Sequence, residues 1–331
     1  VGVSKKGETM MVQYFTKMVG DFRDLIRSAC WVGIAAVGCG MGLVKAQDPG
    51  DARVAEGLLP AAFGIRTDSS GHSWSIESNG SIGRIGSAMV NSGQELLVNG
   101  AKFEGIQPLM TQDASEFVLS SKPGALVPGL EVQRRVKVAP NKAGVRYVEL
   151  FYNNSPDPML LNVGLLTNFS GNFKTLVSDR GRSEPVVLQE GERGVLVLPD
   201  AAQSPRAYLY SVRSGSSKVT PTLSTQNRYG ITVQYRVDLS PGETVAICHH
   251  VAQVMIPKEF DRKALNRLFQ PFSFGASPEL VDEPWGKYVI NASPGESTGE
   301  ESRYPVTLGV EPEEHDQLLI GGGTSLPGAV G

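Results

Sequence analysis

Residues 129–171 read GLEVQRRVKVAPNKAGVRYVELFYNNSPDPMLLNVGLLTNFSG, and the fold class turns on them. Leu130, Val132, Val136 and Val138 alternate with Glu131, Gln133, Arg135 and Lys137. Period two marks a strand with one buried face. The run Pro140-Asn141-Lys142-Ala143-Gly144 predicts a turn. A second strand follows over 145–152, a second break over 153–158, and a third strand over 159–168. Long strands joined by short polar turns predict an antiparallel meander. A meander this apolar needs a second layer to cover it.

The same rhythm continues on both sides. Asn79-Gly80 predicts a hairpin joining 73–78, where Trp74 and Ile76 share a face, to 81–85. Asn99-Gly100 does the same between 95–98 and 102–106, and 115–120 reads as a further strand. After the meander, strands are expected over 174–178, 186–189, 194–198, 207–212, 231–237 and 244–254. Short strands at even spacing indicate a sandwich or barrel. The expected fold is all-β: a large antiparallel β-sandwich, supersandwich-like, over 58–256.

One helix is expected, over 257–269. Pro257 suits its first turn, and Phe260, Ala264, Leu265, Leu268 and Phe269 make one apolar stripe to lay on the sheet. With a short second helix over 277–283 and a last strand over 287–291, it forms a helical cap and final strand, 257–292. Residues 293–331 are acidic and rich in Gly, Pro and Ser, and read as a tail or linker; the ending Gly-Ala-Val-Gly suggests that the natural chain continues.

The chain has 331 residues and a formal net charge of −3. Acidic residues gather at the C-terminal end and basic ones near the N-terminus, which leaves the centre close to neutral. No basic excess is present to draw in phosphate backbones, so nucleic acid is not an expected partner.

Residues 1–46 read as an N-terminal extension and a secretory signal peptide. The chain begins with Val, and Met10, Met11 and Met18 are possible true starts. Arg23 and Arg27 precede an uncharged apolar run over 29–44, and Val44 and Ala46 are the small residues a signal peptidase reads. Cleavage after Ala46 would leave a polar lead-in over 47–57 and an extracytoplasmic protein: periplasmic, secreted or on the cell surface. The alternatives are a retained anchor, for which the run is short, and a lipid on Cys39, since Ala36-Val37-Gly38-Cys39 is similar to a lipobox. A membrane enters only by these two routes. Of the three cysteines, Cys30, Cys39 and Cys248, cleavage leaves Cys248 alone, expected to be a buried, inert thiol.

Chemistry is sparse. The motifs HExxH and GxSxG, the P-loop and the dinucleotide fingerprint are not in the sequence. His249 and His250 are adjacent, so in a strand they point to opposite faces, at most one enters the core, and together they do not chelate a metal. Neither metal nor cofactor is expected. Alternation puts Arg134 on the face of Val132 and Val136, and Glu149 on that of Tyr147 and Phe151. A charge on an apolar face needs a partner. The two are therefore expected to meet across neighbouring strands, as an ion pair that fixes register or as a polar ligand site. Tyr147, Phe151, Tyr152, Phe169, Phe173, Tyr208, Tyr210, Tyr229 and Tyr235 are rings for a core or a sugar platform. The residues singled out are Arg134, Glu149, Tyr152, Asn154, Asn168, His249 and His250, none of them assigned as catalytic. Asn79, Asn153, Asn168 and Asn291 each open an N-x-S/T triplet.

Two passages carry a resemblance. Residues 145–171, VRYVELFYNNSPDPMLLNVGLLTNFSG, resemble the strand–turn–strand of galactose-mutarotase-like β-supersandwich domains, and 239–253, LSPGETVAICHHVAQ, resemble the closing strand of large secreted bacterial β-sandwich domains. In mutarotases a catalytic His follows the Asn-Pro turn and a Glu base comes later. The matching strand here, 159–169, has no His, which counts against epimerase activity.

The function expected is that of a non-catalytic extracytoplasmic module, structural, adhesive or carbohydrate-binding, with a glycan or an envelope protein as partner. The alternative is a carbohydrate-active enzyme or its accessory domain. An oligomeric envelope component is a third class, which a long open strand edge would favour.

Overall fold

The computed structural model of the chain describes residues 57–83, 90–138, 142–200, 205–214, 217, 219–258, 260–272, 283 and 285–292. The signal peptide, Cys39, the tail and nearly all of the expected second helix lie outside the described residues.

Sixteen strands are described. They are β1 (Leu59–Pro60), β2 (Ile65–Thr67), β3 (Ser73–Ser75), β4 (Val90–Val98), β5 (Ala101–Lys102), β6 (Gly105–Met110), β7 (Glu116–Ser121) and β8 (Leu130–Lys137). They continue as β9 (Val145–Asn153), β10 (Met159–Phe169), β11 (Phe173–Ser178), β12 (Gly194–Pro199), β13 (Arg206–Ser211), β14 (Thr222–Gln226), β15 (Gly230–Leu239) and β16 (Thr244–Met255). A nine-stranded sheet runs β1-β6-β7-β8-β9-β16-β13-β12-β11, and a five-stranded sheet runs β14-β15-β10-β4-β5, with β2 and β3 paired apart. Every named strand pairing is antiparallel. The chain is an all-β sandwich, as its alternation predicts.

The two sheets face each other across one apolar core. Leu130, Val132 and Val136 of β8, Tyr147 and Phe151 of β9, and Val245, Ile247 and Val251 of β16 meet Leu161, Val163 and Leu165 of β10 and Val233 and Tyr235 of β15. The alternate residues of the large sheet point outward, and much of that face is buried too. Helix α1 (Arg262–Phe269) seats Leu265 and Phe269 on Leu196, Leu209, Ala252 and Val254. Trp285 covers Val148, Ala246 and Cys248. The last described segment slots in beside β16, through a parallel bridge between Val289 and Ala246. There the Asn291 side chain donates to the Val212 and Cys248 carbonyls and accepts from the Cys248 amide. The expected final strand is thus a short 3-10 turn (Gly286–Tyr288) and one bridge.

Three expectations need correction. The central stretch is not a meander: β8 and β9 form a hairpin, but β9 then pairs with β16, and β10 joins the other sheet between β4 and β15. The break over 153–158 is a crossing between sheets. Asn153 anchors it, donating from Nδ2 to the carbonyls of Asp157 and Leu239 while Oδ1 accepts from the Ser155 amide and hydroxyl. The helix begins at Arg262, not Pro257, because Asp261 caps it by accepting from the Ala264 amide at 2.6 Å. Phe260 therefore lies outside the stripe and is exposed. No strand forms over 186–189; Val187 makes one bridge, to Thr222 of β14, a strand the sequence reading missed.

Candidate functional site

Opposed positions on β8 and β9 bring Arg134 against Glu149, and opposed positions on β9 and β16 bring His249 against Tyr147. All four side chains point between the sheets, and Arg134, Glu149, His249 and Tyr147 have 0% of their surface exposed. One carboxylate oxygen does most of the pairing. Glu149 Oε1 lies 3.3 Å from Arg134 Nη2 and 3.1 Å from His249 Nε2. Since that oxygen accepts, His249 carries its proton on Nε2 when neutral. The imidazole stacks flat on the Tyr147 ring at 4.8 Å, and the Arg134 guanidinium lies over the same ring at 4.6 Å. The opposite sheet closes the cluster: Arg134 also donates to the carbonyl of Gln94, whose amide group and backbone N–H both donate to the Thr167 hydroxyl. Gln94 holds a left-handed backbone, φ 57°, to present that carbonyl.

Burial pushes the His249 imidazole below its usual pKa, with Glu149 pulling it up and Arg134 pushing it down. Burial likewise raises Tyr147, Tyr208 and Tyr210. Arg134 neutralises Glu149 inside the sheet stack, the arrangement of a structural ion pair rather than of a base facing solvent. His250 points the other way, as alternation requires, yet it too is buried, because Phe272 and the helix side cover the outer face. The expectation that at most one of the pair enters the core therefore fails: each imidazole enters a different core. Burial first, then Arg146, His249 and Lys142, hold His250 well below its usual pKa.

A second buried charge cluster was not foreseen. Glu116 of β7 accepts from Arg135 of β8 at 2.7 Å and Arg146 of β9 at 2.9 Å, and Arg146 stacks over Trp285 at 5.1 Å. Burial alone pushes Glu116 up; the two guanidiniums together bring it below the usual carboxylate range. The signal existed as three charges at outward positions of adjacent strands, but pairing them required the β7–β8 register.

The remaining singled-out residues lie away from this cluster, Tyr152 and Asn154 beside Glu131 and Asn168 on the other sheet. Tyr152, half-buried on the outer face of β9, stands opposite Glu131, and Asn154 donates to Glu131 Oε1 at 3.3 Å. Asn168 points outward from the small sheet and donates to the Ser92 hydroxyl. Of the nine rings considered for a sugar platform, seven are core; Tyr152 is half-buried and Tyr229 is 53% exposed. Among the described residues no group of three or more His, Cys, Asp or Glu is placed to hold a metal ion, and no helix is long and apolar enough to cross a membrane.

No family model matches the chain, and no curated protein matches it in sequence. Among solved structures it is similar to a galactose mutarotase-like protein from Lactobacillus casei, at TM-score 0.37 and 8% identity, over 58% of this chain and 100% of that one. It is also similar to a heparan sulfate lyase from Pedobacter heparinus, at TM-score 0.35 and 11% identity, over 50% of this chain and 24% of that one. An α-galactosidase from Geobacillus stearothermophilus is similar at TM-score 0.33 and 12% identity, over 60% and 31%. The chain thus has a weak structural resemblance to galactose mutarotase-like proteins, and spans a third or less of the lyase and the galactosidase.

Proposed function

We propose that this chain is a non-catalytic β-sandwich module that acts outside the cytoplasm and binds a glycan through its surface. The observation that supports the non-catalytic part of this reading is the state of Glu149. A general base must come within hydrogen-bond reach of the proton it takes. The Oε1 of Glu149 is already held by Arg134 and His249, at 0% exposure between two sheets. Export is supported by the basic and apolar pattern of residues 18–46.

The test is an array of immobilised saccharides probed with the full chain, run beside assays for hydrolysis, elimination and anomer exchange on the same saccharides. Binding without turnover is expected. Turnover that disappears in a folded Glu149→Gln variant would overturn the non-catalytic reading in favour of a carbohydrate-active enzyme. A folded chain that binds no saccharide would overturn the glycan reading and leave a protein-contact role.

A further inference from the structure

The hydrogen bonds around Glu149 leave atoms over. Its Oε1 is shared by Arg134 and His249, but its Oε2 has no partner within the protein. The same holds for the Tyr147 hydroxyl, for Nδ1 of His249, and for Oε1 of Gln94, whose amide nitrogen is bonded to Thr167. Two more hydroxyls, of Tyr208 and Tyr210 on β13, are in the same condition. None of these six residues has more than 1% of its surface exposed.

The six adjoin. The His249 and Tyr147 rings stack at 4.8 Å, and the Tyr208 and Tyr210 rings lie 5.3 Å apart. Tyr210 stands beside Gln94 and Thr167, and Tyr147 is close enough to Tyr208 and Tyr210 to bear on their titration. The Tyr208 hydroxyl reaches the small sheet: it lies 3.6 Å from where a Cβ on Gly93 would stand, next to Gln94. Five of the residues come from the large sheet and Gln94 from the small one. Native interiors seldom leave a buried polar group unmatched, because it loses its hydration without replacement. Six in one place need something between them. Carboxylate, amide oxygen and Nδ1 accept, whereas the tyrosines can donate, so the species that matches them must do both. An ion of either sign would meet a like charge, from Arg134 or from Glu149. Water fits: internal waters typically make about three hydrogen bonds to buried groups of this kind.

We propose that the interior of the sandwich binds a cluster of ordered waters, held by Glu149 Oε2, the three tyrosine hydroxyls and Gln94 Oε1, that bridges the two sheets. The polar interior then joins the sheets through solvent as well as through the bond from Arg134 to Gln94. Oxygen-17 relaxation dispersion of the solvent counts internal waters that outlive the tumbling of the protein. It is measured on the full chain as wild type, Tyr147→Phe and Tyr208→Phe, with the urea midpoint of each. A crystal structure of the wild type, at a resolution that orders water, shows the site directly.

In the wild type, density peaks are expected within hydrogen-bond distance of Glu149 Oε2 and the tyrosine hydroxyls. Each Phe variant is expected to lose long-lived water from the dispersion amplitude and to unfold at lower urea, because a bound water loses a partner. A hydroxyl facing dry space gives the opposite sign: its removal deletes an unpaired polar group and raises the midpoint. A dispersion amplitude equal in all three proteins, or a midpoint raised in both variants, would overturn the proposal. So would a crystal structure in which the site is dry or the hydroxyls bond directly to protein groups, an outcome readable even if neither variant folds. Density for a larger molecule, confirmed by mass spectrometry of what the denatured protein releases, would overturn water as the occupant.

Discussion

At the scale of single residues, the buried charges decide most. Arg134 and Glu149 are desolvated together, so the loss of one leaves the other in the core without its countercharge. Removing one member of a buried pair costs about 3–5 kcal/mol, whereas replacing both with apolar groups of similar volume is often neutral. Glu149→Ala should therefore lower unfolding stability in urea by about 3–5 kcal/mol, and Arg134→Met with Glu149→Leu should be less damaging than the sum of the singles. Additive losses in that cycle would sink the assignment of a coupled pair. Polar residues at the strand ends follow a second rule. In the triplets Asp68-Ser69-Ser70, Asn79-Gly80-Ser81, Asp113-Ala114-Ser115 and Asn153-Asn154-Ser155 the first side chain accepts from the backbone amide and the hydroxyl of the third. Two of the four N-x-S/T triplets are thus turn-forming devices, and the Asn153 and Asn291 side chains are wholly buried. In Asn153→Ala the Leu239 carbonyl, buried at the sheet crossing, loses a donor at a cost of about 1–3 kcal/mol. A urea midpoint equal to wild type would refute this.

At the scale of elements, legibility follows what each signal encodes. Period two places residues on faces, so the hairpin of β8 and β9 and the meeting of Arg134 with Glu149 could be read from Leu130 to Phe151. It does not say which strand lies alongside, so the passage of β10 into the other sheet was invisible. Alternation is the same in either sheet, and the evidence for the switch is tertiary: Asn153 bonded to Leu239 across 86 residues. Strand β14, TLSTQ, buries only Leu223 and so carries no periodic signal. Val186 and Val187 look like a strand and stay exposed. The polar interior was half legible. Its charges lie on long alternating strands, but Gln94 and Thr167 come from the facing sheet and were found only in three dimensions. The helix start was a choice between two valid signals, Pro257 for a first turn and Asp261 for a cap, and the side-chain hydrogen bond settles it. Asp261→Ala should therefore cost about 1 kcal/mol, while Pro257→Ala should leave the thermal midpoint near that of wild type. The reverse result would return the helix start to Pro257.

At the scale of the whole molecule, covering both faces of the central sheet has a consequence for pH. His249 and His250 point in opposite directions and are both held neutral, chiefly by burial. Their folded pKa values lie below the unfolded value, about 6.5. The unfolded chain therefore binds protons that the native chain refuses once the pH falls below that value. Stability from these two groups is fully present above about pH 6.5 and is lost as the pH drops beneath it. Two imidazoles together give a slope of up to about 2.7 kcal/mol per pH unit, since each bound proton contributes about 1.36. Glu116 and Glu192, both depressed by arginine partners, act in the same direction at lower pH, near the unfolded carboxylate range. Glu283 opposes them: burial and the nearby Glu116 charge raise it, so its share of stability is present at low pH and lost as the pH rises through its folded value. Between pH 7.5 and 5.5 the unfolded imidazoles take up protons that the buried ones refuse. The urea midpoint should fall across that interval in wild type, and less steeply in His250→Asn, which keeps a polar group under the helix but removes one titration. An unchanged midpoint between pH 7.5 and 5.5 would mean that neither imidazole is held neutral by the fold, and that the sandwich is not sealed on both sides of β16.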